Sequence, residues 1–138
     1  MTDSPVTRAL ATWHEMVAQR DISKLAGIVH PDAVFKSPFS HTPYKSAPAL
    51  TLVLANVIQV FEDFAYHRQL FTADGHSVVL EFSARVGDRR LTGIDLITFD
   101  DHGQILELEV MVRPMSGLQA LGAEMGRRLG HLLPNFKA

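Results

Sequence analysis

Residues Gly93–Pro114 read GIDLITFDDHGQILELEVMVRP, and this stretch decides the fold. Ile94, Leu96 and Thr98 alternate with Asp95, Ile97 and Phe99, the period of two that marks a strand. Asp100-Asp101-His102-Gly103 supplies turn chemistry, with Gly103 free to take a positive φ. Beyond it, Leu106, Leu108, Val110 and Val112 alternate with Glu107, Glu109, Met111 and Arg113. Pro114 cannot donate to a ladder and closes the strand. The spacing predicts a long antiparallel hairpin. Asp95 is out of place in it, because mid-strand positions disfavour Asp. A buried carboxyl must find a partner or stay neutral. Asp95 is therefore the first candidate for chemistry, against the alternative that it caps a neighbouring backbone or pairs with an Arg.

Working outward, Ser4-Pro5 opens a first helix, with Ser as N-cap and Pro at the first helical position. Leu10, Trp13 and Val17 recur along it at helical spacing, up to Arg20. Asp21 is expected to cap a short second helix through Ile22, Leu25, Ile28 and Val29, ended by His30-Pro31. Ala33–Ser37 reads as a short strand stopped by Pro38, and residues 39–45 as a loop. Ser46 and Pro48 open a third helix carrying Leu50, Leu54, Val57, Ile58 and Phe61. Tyr66–Thr72 and Ser77–Val86 read as strands, and Gly87–Arg90 turns the chain into the hairpin. Leu118, Leu121, Met125 and Leu132 predict a C-terminal helix over residues 117–133, ended near Pro134. The order is α+β: helices against one face of a mostly antiparallel sheet.

The 138 residues fit one domain, and a hydrophobic content of 46% is enough for a packed core. A net charge of -2 gives no overall pull toward nucleic acid or anionic membrane. The chain has no cysteine, which excludes thiol chemistry and fits a cytoplasmic location. No signal peptide and no membrane span are expected.

Several motifs fail on inspection. His14-Glu15 begins like a zinc-protease HExxH, but Ala18 stands where the second ligand belongs. The seven histidines show no close pairing, so no metal site is expected. Gly122, Gly126 and Gly130 imitate a membrane-dimer motif, yet Glu124, Arg127 and Arg128 lie among them; a close approach of packed elements is the simpler reading. Trp13 and Phe35 sit on apolar faces as core or as ligand platforms. Ser37, His41 and Tyr44 cluster where the first strand becomes loop, a setting that often carries function.

Two segments together carry a family resemblance. Asp21–Leu25 running through His30-Pro31-Asp32-Ala33-Val34-Phe35-Lys36-Ser37-Pro38-Phe39, and Ile94–Ile105, resemble the nuclear transport factor 2-like superfamily, which includes ketosteroid isomerases, SnoaL-like cyclases and limonene epoxide hydrolase. The resemblance covers Pro5–Pro114. It implies a cone-shaped, strongly curved antiparallel sheet wrapped around the helices, enclosing an apolar cavity, and a homodimer through the sheet.

Carried over from ketosteroid isomerase, the oxyanion-binding Asp falls on Asp95, its partner tyrosine on Trp13, and the general base on Ser37. A Ser hydroxyl cannot take a proton unaided, so steroid isomerisation is not expected. The Asp-Arg-Asp arrangement of the epoxide hydrolase is not evident. What the resemblance implies is a pocket for a small hydrophobic molecule, lined by Trp13, Val17, Phe35, Ser37, Tyr44, Leu108, Val110 and Val112. Asp95 would act there as acid or hydrogen-bond donor, with His14 or His41 as base and no cofactor. Two classes stay open: an isomerase-, cyclase- or hydrolase-type enzyme, and a non-catalytic ligand-binding or dimerisation domain.

Overall fold

The computed structural model describes residues 4–130. The first helix, α1 (Pro5–Gln19), starts as its sequence dictates: the Ser4 hydroxyl accepts the Thr7 N–H at 3.1 Å. Its stripe of Ala9, Leu10, Trp13 and Met16 is buried. It stops at Arg20, which turns left-handed at φ 53. The Asp21 N–H then returns to the Met16 carbonyl at 3.0 Å, satisfying a carbonyl the helix end would orphan.

The expected second helix is only a 3-10 turn, Leu25–Ile28. Asp21 does not cap it; its Oδ1 accepts the Ser23 N–H at 2.9 Å in a local turn. Strand β1 (Val29–Lys36) begins before His30-Pro31 rather than after it. Pro31 is tolerated because β1 is an edge strand, and its pairing slips between Val29 and Val34. Helix α2 (Ala47–Val60) is capped by Ser46, whose Oγ accepts the Ala49 N–H at 3.1 Å. Phe61 is its C-cap, not part of its inner face.

Strands β2 (Glu62–Phe71), β3 (Ser77–Val86), β4 (Arg89–Phe99) and β5 (Ile105–Arg113) follow, then helix α3 (Met115–Leu129). The expected helix end near Pro134 lies outside the described residues. The sheet is mixed and open, in the order β1-β5-β4-β3-β2, with β1 parallel to β5 and every other pair antiparallel.

The hairpin of β4 and β5 sets the register of the inner face. Asp95 pairs with Val110, Ile97 with Leu108 and Gly93 with Val112. A register shift next to Phe99 breaks the alternation, so Ile105 is buried while Leu106 turns outward. The sequence puts Leu106 on the same face as Leu108; one extra residue in the strand flips it. The inner faces of β3 and β4, with Val78, Leu80, Phe82, Leu91, Ile97 and Phe99, form the core against the helices. Gly122 lets α3 approach the Phe39 ring, where an added Cβ would stand 3.1 Å from Cε1.

Candidate active site

Residues from α1, α2, β1, β2, β4, β5 and α3 meet at a cavity of about 110 Å³. Trp13, Val17 and Arg20 descend from α1 as one stripe, since positions three and four apart share a helix face. Val53, Leu54, Val57 and Ile58 come from α2, and Phe61, Phe64 and Tyr66 from the chain entering β2. Phe39, Leu121 and Met125 close the side toward α3. The wall is almost wholly apolar. Among the described residues Asp95 is its one carboxylate, on the inner face of β4 opposite Val110.

A directed chain of hydrogen bonds holds Asp95. The buried Trp13 indole donates its Nε1–H to the Tyr66 hydroxyl oxygen at 2.9 Å. An indole nitrogen can only donate. The Tyr66 proton therefore goes forward, to Asp95 Oδ2 at 2.7 Å. Asp95 Oδ1 has no hydrogen-bond partner among the described residues. Burial pushes the Asp95 carboxyl up from its ordinary 3.8 to about 7, against the opposing pull of the Tyr66 donor. Burial also lifts the Tyr66 phenol well above its ordinary value of 10.0, reinforced by the Asp95 charge and the hydrogen bond to it. Tyr66 thus stays a donor, while Asp95 exchanges its proton near neutrality.

The sequence-expected residues divide. Trp13, Val17, Phe35, Ser37, Val110 and Asp95 line the cavity. Tyr44 and Leu108 are buried outside that lining: Tyr44 stacks on Phe35 at 6.0 Å, and Leu108 pairs with Ile97 in the core. Val112 and His41 border a neighbouring surface groove that shares Ser37, Pro38, Phe39 and Val110 with the cavity wall. His14 packs edge-on against the Tyr66 ring at 5.1 Å, with its Nε2 on Gln69 Oε1 at 2.8 Å. Neither histidine reaches the cavity. The Ser37 hydroxyl accepts the Phe39 N–H at 3.0 Å.

Sequence reading missed Tyr66 and Arg20. The only local hint of Tyr66 is the aromatic spacing Phe61, Phe64, Tyr66. Its partnership with Asp95 depends on β2 lying two strands from β4.

Comparison with known proteins fits this geometry. A family model described as a SnoaL-like domain matches residues 10–108. No curated protein matches the chain. Among solved structures, a steroid delta-isomerase from Pseudomonas aeruginosa is 61% identical, covering 96% of each chain with a TM-score of 0.90. An uncharacterized protein with a cystatin-like fold from Silicibacter pomeroyi is 30% identical over 93% of this chain and 91% of its own, with a TM-score of 0.82. A nuclear transport factor 2-like protein of unknown function from Mesorhizobium loti shares the fold at 12% identity, a TM-score of 0.69, and coverage of 80% and 92%. With its helices packed on a curved five-stranded sheet, the chain belongs to the SnoaL-like family of the nuclear transport factor 2-like fold.

Proposed function

We propose that this protein is an acid–base enzyme acting on a small hydrophobic carbonyl compound, with Asp95 as its acid. The observation that carries the reading is Asp95 itself: a buried carboxyl at about 7, with one oxygen held by Tyr66 and the other open to an apolar cavity. A group poised near the working pH transfers protons most effectively. In its protonated form, Oδ1–H donates to the substrate carbonyl oxygen and draws electron density from the reacting carbon. In its ionised form, Oδ1 takes a proton back. The Tyr66 hydrogen bond steadies the carboxylate formed in the first step, and Trp13 holds Tyr66 in the orientation that donates.

Asp95 is the one carboxylate that the described residues bring to the cavity wall, and His14 and His41 stand outside it. This favours chemistry in which one group serves as acid and then base, such as ring closure beside a carbonyl. The 61% identical protein described as a steroid delta-isomerase makes a 3-oxo steroid the first substrate to test.

The experiment uses an unsaturated ketone whose absorption moves to longer wavelength when its carbonyl accepts a hydrogen bond. The bound ketone should show that shift with the wild type and lose it with Asp95→Ala, which has no donor, or above pH 8. An unshifted spectrum in the wild type would overturn the acid role.

The same reading includes a homodimer through the outer sheet face. There Val79 pairs with Leu96 and Ile94 with Met111, forming a contiguous apolar patch on the side away from the helices.

A further inference from the structure

Arg20 lines the cavity from the end of α1, far from the Asp95 network. The other end of the same helical stripe is Trp13, seven residues earlier, so the two lie on the order of 10 Å apart along the helix axis. Two features keep the Arg20 side chain at the rim. The left-handed turn at φ 53 fixes its backbone, and its Nη2 donates to the Phe61 carbonyl at the C-cap of α2. That bond uses one of five guanidinium N–H groups. Several other basic side chains are neutralised: Arg68 is paired with Glu81, Arg85 with Asp63, and Arg127 and Arg128 with Glu124. No carboxylate among the described residues pairs with Arg20. Nor does Arg20 contribute to the shift of Asp95, which comes from burial and Tyr66 alone. The cavity is thus apolar through its middle, with an acid at one end and a cation with open donors at the other.

We infer that the ligand is a hydrophobic oxo-acid, bound with its carboxylate on Arg20 at the rim and its carbonyl on Asp95 within. The planar guanidinium fork matches a carboxylate in two parallel hydrogen bonds. A carboxylate at the Asp95 end would face a group that ionises near neutrality, so the orientation is fixed by charge. Phe61 and Phe64, between the two ends, hold the apolar stem. The inference rests on the carbonyl-binding role of Asp95 and adds the second anchor.

The test is a titration of 9-oxodecanoate and its methyl ester, followed by the fluorescence of Trp13, the chain's single tryptophan. The two probes differ in charge and share a ketone about 10 Å from the other end of the chain when extended, comparable to the rise from Trp13 to Arg20. The acid should bind about tenfold tighter than the ester at low salt, and added salt should narrow that ratio. Arg20→Gln should bring the ratio to about one, chiefly by weakening the acid. Arg20→Lys should keep part of the preference, since it retains the charge and loses the fork. It also serves as the folded control should Arg20→Gln melt early. Equal binding of acid and ester by the wild type would overturn the Arg20 anchor and leave the role of Asp95 standing. Binding of neither probe would overturn both.

Discussion

Tyr66 on β2 reaches across the whole width of β3 to donate its proton to Asp95 on β4, at 2.7 Å. Tyr66 pairs with Phe82 of β3, and Phe82 pairs with Gly93, two residues before Asp95. Sheet curvature brings the outer strand over the centre of the inner face. Substituting Tyr66→Phe removes that donor, and with it the one influence that holds the Asp95 carboxyl below where burial alone would put it. The Asp95 titration should move up, and the Trp13 N–H should lose its acceptor. Stability should fall by about 1–3 kcal/mol, the cost of an unsatisfied buried donor. Denaturant unfolding of the two proteins checks the magnitude.

Gly93 makes room for this arrangement. A Cβ there would stand 2.6 Å from Cζ of the Phe82 ring, which itself stacks on Phe64 at 5.2 Å. Gly93→Ala should force the aromatic cluster to shift, costing about 1–3 kcal/mol by overpacking. It should also weaken ligand binding, because Phe64 lines the cavity. A melting temperature equal to that of the wild type would contradict this.

The outer apolar patch predicts a dimer at low micromolar concentration. Met111, 45% exposed in the single chain, faces the same side as Ile94 and Leu96. Light scattering should give twice the chain mass, and Met111→Arg should shift the protein toward monomer by burying an unpaired charge at the interface. A wild type that stays monomeric would refute the proposal.

Isomerisation of an unsaturated 3-oxo steroid should be slow. A separate, positioned base contributes about 10²–10⁴-fold, and the described residues bring no carboxylate besides Asp95 to the cavity. Ser37 stands in the wall with its hydroxyl on the Phe39 N–H, a bond an Asp side chain can also accept. Ser37→Asp should therefore raise turnover in an absorbance assay for the conjugated product. Robust wild-type turnover would show that a single carboxyl suffices.

Much of this architecture is legible in the sequence, for physical reasons that also mark where reading stops. The hairpin around Asp100–Gly103 is legible because alternation and turn chemistry are local. Asp95 stands out because a carboxyl breaks an apolar strand. The register slip that turns Leu106 outward is invisible, since it depends on how β5 meets β4. The parallel pairing of β1 with β5 joins segments remote in the chain and leaves no local pattern. Tyr66 and Arg20 escape for the same reason: each becomes part of the site through strand order or helix packing. His14 and His41 look chemical by residue type alone, and the structure sets both outside the cavity.

The central claim is that Asp95 is a neutral-to-ionised switch at physiological pH, and its consequences are signed. The folded pKa of about 7 lies above the ordinary 3.8, so between these values the folded chain holds a proton the unfolded chain releases. Stability must then fall as pH rises through that window, by about 4 kcal/mol in all, and level off above it. Asp95→Asn should flatten the profile and make the protein more stable than wild type at pH 8. His76, raised by its bond to Asp101, also loses stability near neutrality, but equally in both proteins. The most direct measurement is the carboxyl-carbon NMR titration of Asp95 in the ligand-free wild type. The account predicts a midpoint near 7; a midpoint at or below about 4, the range of a solvated Asp, would contradict it.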